Sequence, residues 1–353
     1  AVEREIVEIG KALSSQARIL VMDEPTAALT PNEVTRLFEF VQTLRSQGVG
    51  IVYISHRLDE IFEIAQRATV LRDGVNVGTQ PVAELSKQSL VHMMVGRDIG
   101  EGWAREQAEA TTAERPVLEV NSLTQRDHFA DVSLTVHAGE IVGIFGLLGA
   151  GHVHLTRAIF GAERLDSGTV QVDGEPTAIQ SPRDARRSGI GLVPLDRKVQ
   201  GLILDRSVKE NVTLANWGAL SRGGFFTRRA ERSHVGSWID KLGIRMAGGM
   251  EVHARYLSGG NQQKLVLARW LEAGVKVLLL NEPTWGVDIG ARFDIYEQLE
   301  TLASEGLGIL MVSSDIQEVL AVSNRILTMY QGQITGEFSQ ADATQAKLIQ
   351  AAS

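Results

Sequence analysis

The sequence predicts an α/β protein made of two related domains, each built around a parallel β-sheet. Two short, continuous apolar runs, residues 19–22 and 277–280, are typical of strands that are covered on both faces. Each run precedes a helical stretch, a Gly turn and a second apolar run, an order that indicates right-handed crossovers in a layered core. These following segments are 32–46 with 50–54 in one domain and 290–304 with 308–312 in the other.

The two apolar runs belong to a long internal repeat. Residues 1–74 match residues 259–332 without a gap, at a constant offset of 281 − 23 = 258. Asp23-Glu24-Pro25-Thr26 falls on Asn281-Glu282-Pro283-Thr284, so the copies differ where chemistry is expected. A repeat this long indicates two copies of one domain, since solenoid repeats are far shorter. The glycine loop at Gly146 would fall at 146 − 258 = −112 in the first copy, so we expect the chain to begin inside its first domain.

The domain boundaries follow from the repeat and from local composition. We predict the C-terminal part of a first domain over 1–96, a charged linker over 97–116, and a complete second domain over 117–353. The second domain opens with strands over 117–120, 132–136 and 140–145, and Asp173-Gly174 predicts a hairpin turn. Residues 207–242 read as mainly helical, with an interrupting turn at 222–224, and predict an inserted helical subdomain.

Composition excludes several classes of function. The net charge of −8 argues against nucleic acid or an anionic membrane surface as the main partner, because both favour stripes of Lys and Arg. There is no cysteine, so the chain has neither disulfides nor a thiolate metal site. The apolar runs are far too short to cross a bilayer. We therefore expect a soluble chain in a reducing cytoplasm.

A glycine-rich segment, with glycines at Gly146, Gly149 and Gly151, follows a strand and precedes a helical run over 155–160. Free backbone N–H groups and a helix N-terminus in this context can wrap a phosphate group. A full phosphate loop would continue with Lys for the phosphates and a hydroxyl for Mg²⁺, but His152 and Val153 stand there. A plain strand-to-helix turn is the alternative. A metal site formed by His152 and His154 is rejected, because residues two apart on a helix do not share a face.

A second motif opens a helix further along the chain. A Ser and two Gly at a helix start present a hydroxyl and open N–H groups to an anion. An apolar strand and a Glu-Pro-Thr segment at 282–284 follow it. The motif consists of Leu257, Ser258, Gly259, Gly260, Asn261, Gln262 and Gln263.

This combination resembles the signature and Walker B motifs of ATP-binding-cassette (ABC) proteins, and the resemblance covers the whole chain. It implies tandem P-loop NTPase domains with a RecA-like parallel-sheet core and an inserted helical subdomain. Within that superfamily the chain is similar to the tandem ATP-binding subunits of bacterial simple-sugar importers of the ribose, xylose or galactose type. The segments that carry this similarity are 7–13, 22–30, 145–151, 193–198, 207–211 and 286–292. Two departures are Leu195, where an acidic residue is expected, and Trp285, where an arginine is usual.

The resemblance also implies cofactors and partners. ATP and Mg²⁺ are the expected cofactors. A transmembrane permease dimer is the direct partner, a periplasmic sugar-binding protein is an indirect one, and nucleic acid is not a partner. The expected location is the cytoplasmic face of the inner membrane, where the chain would be peripheral.

Residue roles that the resemblance implies are divided unequally between the copies. Asp23 matches the aspartate that holds Mg²⁺ through water, Glu24 matches the catalytic base, and His56 matches the γ-phosphate switch histidine. The second copy has Asn281 and Ser314 at two of these positions and keeps Glu282. Asp288 and the glycine loop are also assigned to nucleotide binding.

Because the family builds each site from the Walker motifs of one domain and the signature of the other, the first copy and the signature at 257–263 form one competent site. The second site is degenerate, since Ala1 and Val2 fall on Gly259 and Gly260. The sequence therefore predicts the ATPase subunit of a monosaccharide importer. The alternatives are a non-catalytic nucleotide-binding scaffold or truncated gene product, and a ribosome-associated tandem ABC protein.

Overall fold

The computed structural model describes residues 17–26, 29, 31–55, 57–72, 74–95, 115–147, 149–216, 221–222, 225–226 and 228–353. The chain divides into two compact units, Ala1–Trp103 (unit 1) and Ala104–Ser353 (unit 2). Most of the predicted linker, at 97–114, lies outside the described residues, and so do His56 and residues 1–16. Within the described ranges, every helix is too short or too polar to span a lipid bilayer.

Unit 1 contains a two-stranded parallel sheet, followed by an antiparallel hairpin. The strands β1 and β2 pair in parallel with helix α1 between them, as the apolar runs predict. Helix α1 packs Phe38 and Val41 against Leu20 and Met22 of β1. The elements are β1 (Ile19–Asp23), α1 (Pro31–Ser46), β2 (Gly50–Ile54), α2 (Leu58–Ile64), β3 (Arg67–Arg72), β4 (Val75–Pro81), a 3₁₀ turn (Val82–Glu84) and α3 (Lys87–Val95).

The expectation that both apolar runs are covered on both faces is wrong for β1. Its residues alternate between exposed and buried, and Ile19 and Val21 are 69% and 62% exposed. The equivalent residues in unit 2, Val277 and Leu279, are fully buried under a layer that includes residues 117–136 and 155–172. The described part of unit 1 holds no counterpart of that layer, so one apolar face of β1 lies open.

Unit 2 begins with an antiparallel sheet and continues with a larger, mostly parallel one. The first has the order β6–β5–β8–β9, and the second β10–β13–β14–β7–β15–β16, in which only the edge strand β16 is antiparallel. The strands are β5 (Pro116–Gln125), β6 (Phe129–His137), β7 (Ile141–Phe145), β8 (Ser167–Val172), β9 (Glu175–Thr177), β10 (Ile190–Val193), β11 (Ser221–Arg222), β12 (Phe225–Phe226), β13 (Val277–Asn281), β14 (Gly308–Ser313), β15 (Arg325–Tyr330) and β16 (Gln333–Ser339).

Helices cover the parallel sheet, and the glycine loop and the segments after β13 and β14 lie at one of its ends. The α-helices are α4 (His152–Ile159), α5 (Pro182–Arg187), α6 (Val208–Thr213), α7 (Arg228–Lys241), α8 (Gly259–Glu272), α9 (Ile289–Ser304), α10 (Ile316–Val322) and α11 (Gln345–Ala351). Short turns of other helix types are Arg197–Gly201, Gly249–Glu251 and Ala254–Tyr256. Because β7, β13 and β14 run in parallel, the residues after their carboxyl ends meet at one edge of the sheet.

Two local predictions can be compared directly with the structure. Asp173 and Gly174 both have positive φ, 54° and 78°, which gives the predicted tight turn between β8 and β9. The stretch at 207–242 is helical at both ends, but β11 and β12 form a short antiparallel pair inside it. Two adjacent Phe residues in β12 favour strand geometry over a continuous helix, which explains the difference.

Candidate functional site

The glycine loop of unit 2 connects β7 to α4 and packs tightly against the chain around it. Gly151 has φ 101°, and a Cβ atom there would lie 2.4 Å from the carbonyl oxygen of His128, so only glycine fits. The helix begins at the next residue, His152, whose side chain is 4% exposed. The first N–H groups of a helix lack intrahelical partners, so the loop has the backbone geometry of an anion site.

The end of β13 lies beside α4. The Thr156 hydroxyl donates to Asn281 Oδ1 at 2.6 Å, and both side chains are buried. Asn281 thus occupies the position of Asp23 in the repeat, with its oxygen already engaged. Sequence reasoning missed Thr156, because no motif marks a partner 125 residues away.

Glu282, the next residue, is surrounded by donors. The N–H of Ser314 donates to its Oε1 at 2.7 Å, the hydroxyl of Ser313 donates to its Oε2 at 3.1 Å, and His152 Nε2 lies 3.9 Å from its Oε1. Burial would raise the pKa of Glu282, but the His152 imidazole and the two serines outweigh it and hold the pKa below its ordinary value. Glu282 is therefore a charged carboxylate held by internal donors.

A second carboxyl group, Glu318, lies behind Glu282. Ser313 Oγ is 2.6 Å from Glu318 Oε2, and Glu318 is 1% exposed. Burial raises the pKa of Glu318 to about 7; the hydroxyls of Ser313 and Thr284 oppose the rise, and the charges of Glu282 and Asp315 add to it. A hydroxyl has one proton. Ser313 therefore donates to one of the two carboxyl groups at a time, and the two compete for its proton.

The matching carboxyl group in unit 1 has a threonine and a serine partner as well, together with two partners that unit 2 lacks. Glu60, which matches Glu318, accepts from Thr26 at 2.6 Å, from Ser55 at 2.8 Å and from Tyr53 at 2.9 Å. Arg57 Nη1 also lies 3.1 Å from its Oε1. Unit 2 has Met311 and Asp315 in place of the tyrosine and arginine. The repeat matches Ser55 and Glu60 to Ser313 and Glu318. This match was the sequence signal that could have revealed the hydrogen-bonded groups around Glu60 and Glu318.

The acidic pair of unit 1 lies at the end of β1. Glu24 has φ 44° and Glu282 has φ 47°, and each N–H donates to the adjacent strand at 2.9 Å. A left-handed conformation in a non-glycine residue is strained and occurs often at functional sites. Asp23 and Glu24 are exposed, whereas Asn281 and Glu282 are buried. Their assigned partner His56 lies outside the described residues.

The signature motif forms the start of α8. Ser258 precedes the helix and accepts a hydrogen bond from Asn261 Nδ2 at 2.9 Å, while Gln262 and Gln263 are buried. A Cβ on Gly260 would lie 2.5 Å from Ala291 Cβ of α9, so the helices meet closely there. Asp288 caps α9 by accepting from the N–H of Ala291 at 2.9 Å. Gly260 and Asp288, both predicted site residues, thus lie in one packed junction around Ala291. Leu257 and Gly259 come just before Gly260 in the sequence.

Arg197 is a further residue of this junction; the sequence analysis placed it in the family segment 193–198 but gave it no role. Its guanidinium donates to the carbonyl oxygens of Trp285 at 2.6 Å and Gly286 at 2.8 Å. Arg197 is buried, which lowers its pKa, and the nearby charge of Asp196 opposes that shift. The Trp285 side chain itself is 55% exposed. These two hydrogen bonds from Arg197 thus fix the backbone at 285–286 beside Gly259 and leave the tryptophan ring at the surface.

Comparison with known proteins agrees with this geometry. The ABC transporter family model matches residues 129–285, from β6 to the segment after β13. A ribose import ATP-binding protein of Streptomyces coelicolor is 46% identical over 350 residues, which cover 99% of this chain and 68% of that protein. The corresponding Bacillus subtilis protein is 43% identical over 347 residues, or 98% of this chain and 70% of its own length.

The chain belongs to the sugar-importer branch of the ABC ATPase family. The predicted family and the predicted α/β fold are therefore confirmed. The chain spans 65–70% of the length of the curated relatives that it matches.

Solved ABC ATPase structures support the fold independently. The cbiO1 protein of Clostridium perfringens, described as part of the ABC transporter complex cbiONQ, gives a TM-score of 0.56 at 22% identity. The alignment covers 67% of this chain and 93% of that one. An ATP-binding cassette of an ABC transporter in its ADP conformation gives 0.55 at 20% identity, with 67% and 98% covered. At such identity these structures bear on the fold alone.

Proposed function

We propose that this chain is the ATP-binding and ATP-hydrolysing subunit that energises import of a monosaccharide through a membrane permease. One observation carries the proposal: the chain aligns over nearly its whole length with ribose import ATP-binding proteins. A transmembrane permease dimer is the direct partner, and a periplasmic sugar-binding protein is an indirect one. The chain would then lie at the cytoplasmic face of the inner membrane.

The competent site, in this proposal, uses Asp23, Glu24 and His56 of the first copy. Asp23 places an exposed carboxylate at the end of β1, and carboxylate oxygens suit Mg²⁺ held through water. When bound, Mg²⁺ neutralises charge on the phosphate oxygens. Glu24, next in the chain, accepts the proton of a water that attacks the γ-phosphorus, while the bond to the β-phosphate oxygen breaks and ADP leaves.

The other nucleotide site uses the glycine loop of unit 2. Gly146, Gly149 and Gly151 offer backbone N–H groups, and His152 would add a side-chain cation when it is protonated. Glu282 is held by Ser314 and Ser313, and these hydrogen bonds occupy the oxygens that would have to accept a proton from water. We assign this site to holding nucleotide and not to hydrolysis.

A matched pair of substitutions tests this division. Glu24→Gln should lower the ATPase rate of the chain, reconstituted with its permease, by about 10²-fold or more, since an amide cannot accept the water proton. Glu282→Gln, the repeat-related control, should change the rate by less than about threefold. Equal losses in both variants would contradict the division of labour.

Partner identity needs a separate measurement. The chain should co-purify from detergent extracts with a polytopic membrane protein and should support uptake of a radiolabelled pentose or hexose. Sedimentation with ribosomes and no membrane partner would contradict the importer function. If wild type binds ATP but neither turns it over nor supports uptake, the scaffold alternative is favoured.

A further inference from the structure

The glycine loop of unit 2 lacks the groups that would hold a metal ion beside a bound phosphate. Val153 offers an aliphatic side chain directly after His152. Asn281 is neutral, and its oxygen accepts from Thr156 at 2.6 Å in a buried contact. The Glu282 carboxylate is occupied by Ser314 and Ser313. Mg²⁺ prefers charged and water oxygens in a regular octahedron, and these residues do not fit it.

The loop also holds a buried histidine. The His152 ring is buried, and its Nδ1 has no hydrogen-bond partner among the described residues. That nitrogen faces the loop, since a Cβ on Gly146 would lie 2.8 Å from it. The other ring nitrogen lies 3.9 Å from Glu282. A buried polar nitrogen that lacks a partner and faces an anion-binding loop points to a ligand that would accept its hydrogen bond.

We infer that the glycine loop of unit 2 binds the phosphate groups of a metal-free nucleotide, with His152 and backbone N–H groups in place of the metal ion. This rests on the proposed nucleotide-holding function of the loop. The ligand class is a nucleoside di- or triphosphate without Mg²⁺. A charged imidazole makes charge-assisted hydrogen bonds to phosphate oxygens, as a lysine would, although Glu282 competes for it.

The inference predicts how binding responds to magnesium. Binding of ADP by the full chain is measured by titration calorimetry in two buffers. One contains about 5 mM MgCl₂, which saturates a metal site, and the other contains excess EDTA, which removes the metal. The chain carries Asp23→Asn, so that the carboxylate assigned to Mg²⁺ in unit 1 does not contribute. The dissociation constant should differ by less than about threefold between the two buffers.

Side-chain variants locate the site. His152→Ala should weaken ADP binding by about tenfold or more in EDTA, because the loop loses its side-chain cation. His152→Lys should retain or strengthen it. His234→Ala is the matched control, since His234 lies on α7 beside Glu272 with 56% of its side chain exposed, and should leave binding unchanged.

The outcomes separate the two claims. Binding that strengthens tenfold or more with Mg²⁺ and disappears in EDTA would overturn the metal-free mode and leave the nucleotide-holding function intact. Binding in EDTA that His152→Ala does not weaken would overturn the assigned role of His152. Absence of ADP binding in both buffers would overturn the nucleotide-holding function itself, and this inference with it.

Discussion

At the scale of single residues, Glu318 links the stability of unit 2 to pH. Its pKa in the folded chain is about 7, above its ordinary value of 4.5, because burial disfavours the charged form. A raised carboxyl pKa contributes stability that is fully present below the ordinary value and is lost as pH rises through the folded value. Unfolding free energy should therefore fall between about pH 4.5 and pH 7, by about 2–3 kcal/mol from this group.

Glu318→Gln tests this linkage. An amide of the same shape cannot ionise, so urea unfolding of the variant should lose that part of the pH dependence. Asp315→Asn should reduce the effect more modestly, since it removes one neighbouring charge and keeps the oxygen that caps α10. An unchanged slope in Glu318→Gln would show that another group causes the pH dependence.

At the scale of elements, the close approach of α8 and α9 depends on Gly260. Gly260 has no Cβ, and this leaves room for Ala291. The Cβ of an alanine at position 260 would lie 2.5 Å from the Cβ of Ala291. Gly260→Ala should destabilise the chain by about 1–3 kcal/mol through overpacking, measured by denaturant unfolding.

The double variant Gly260→Ala with Ala291→Gly supplies the control. Exchange of the two side chains restores the space, so the double variant should recover a substantial part of the lost stability. Additive losses would mean that the clash lies elsewhere.

The elements themselves were largely predictable from the sequence. The helix over 290–304 was placed within one residue of α9, and the cap that Asp288 provides at its start is a local feature of the sequence. The contact of Thr156 with Asn281 was not predictable, since it joins residues 125 apart. The exposed face of β1 was missed for a related reason: an apolar run shows that a strand can be covered, but the covering layer lies in other elements.

At the scale of the whole molecule, the two units differ in how fully their sheets are built. In the described residues of unit 1, β1 and β2 form a two-stranded sheet with open apolar side chains, whereas β13 and β14 lie inside a six-stranded sheet. Few buried contacts make local opening easier.

Backbone amides of 19–23 and 50–54 should therefore exchange with deuterium at least about tenfold faster than those of 277–281 and 308–313. Hydrogen-exchange mass spectrometry on one sample compares both copies, so solution conditions act as their own control. Equal protection in the two copies would mean that the open face of β1 is covered in solution.

The hydrogen bond between Thr156 and Asn281 also limits which residues of the first copy the second copy could accept. Substituting Asn281 by aspartate alone would place a new negative charge in a buried position next to Glu282, whose donors are already in use, and close to Glu318. Without a hydroxyl at position 153 to hold a metal ion, that charge would have to share His152 with Glu282, which already lies beside it. Each residue of a complete phosphate and metal site would thus be unfavourable here unless the others were introduced with it, so the substitutions that distinguish the two copies are coupled.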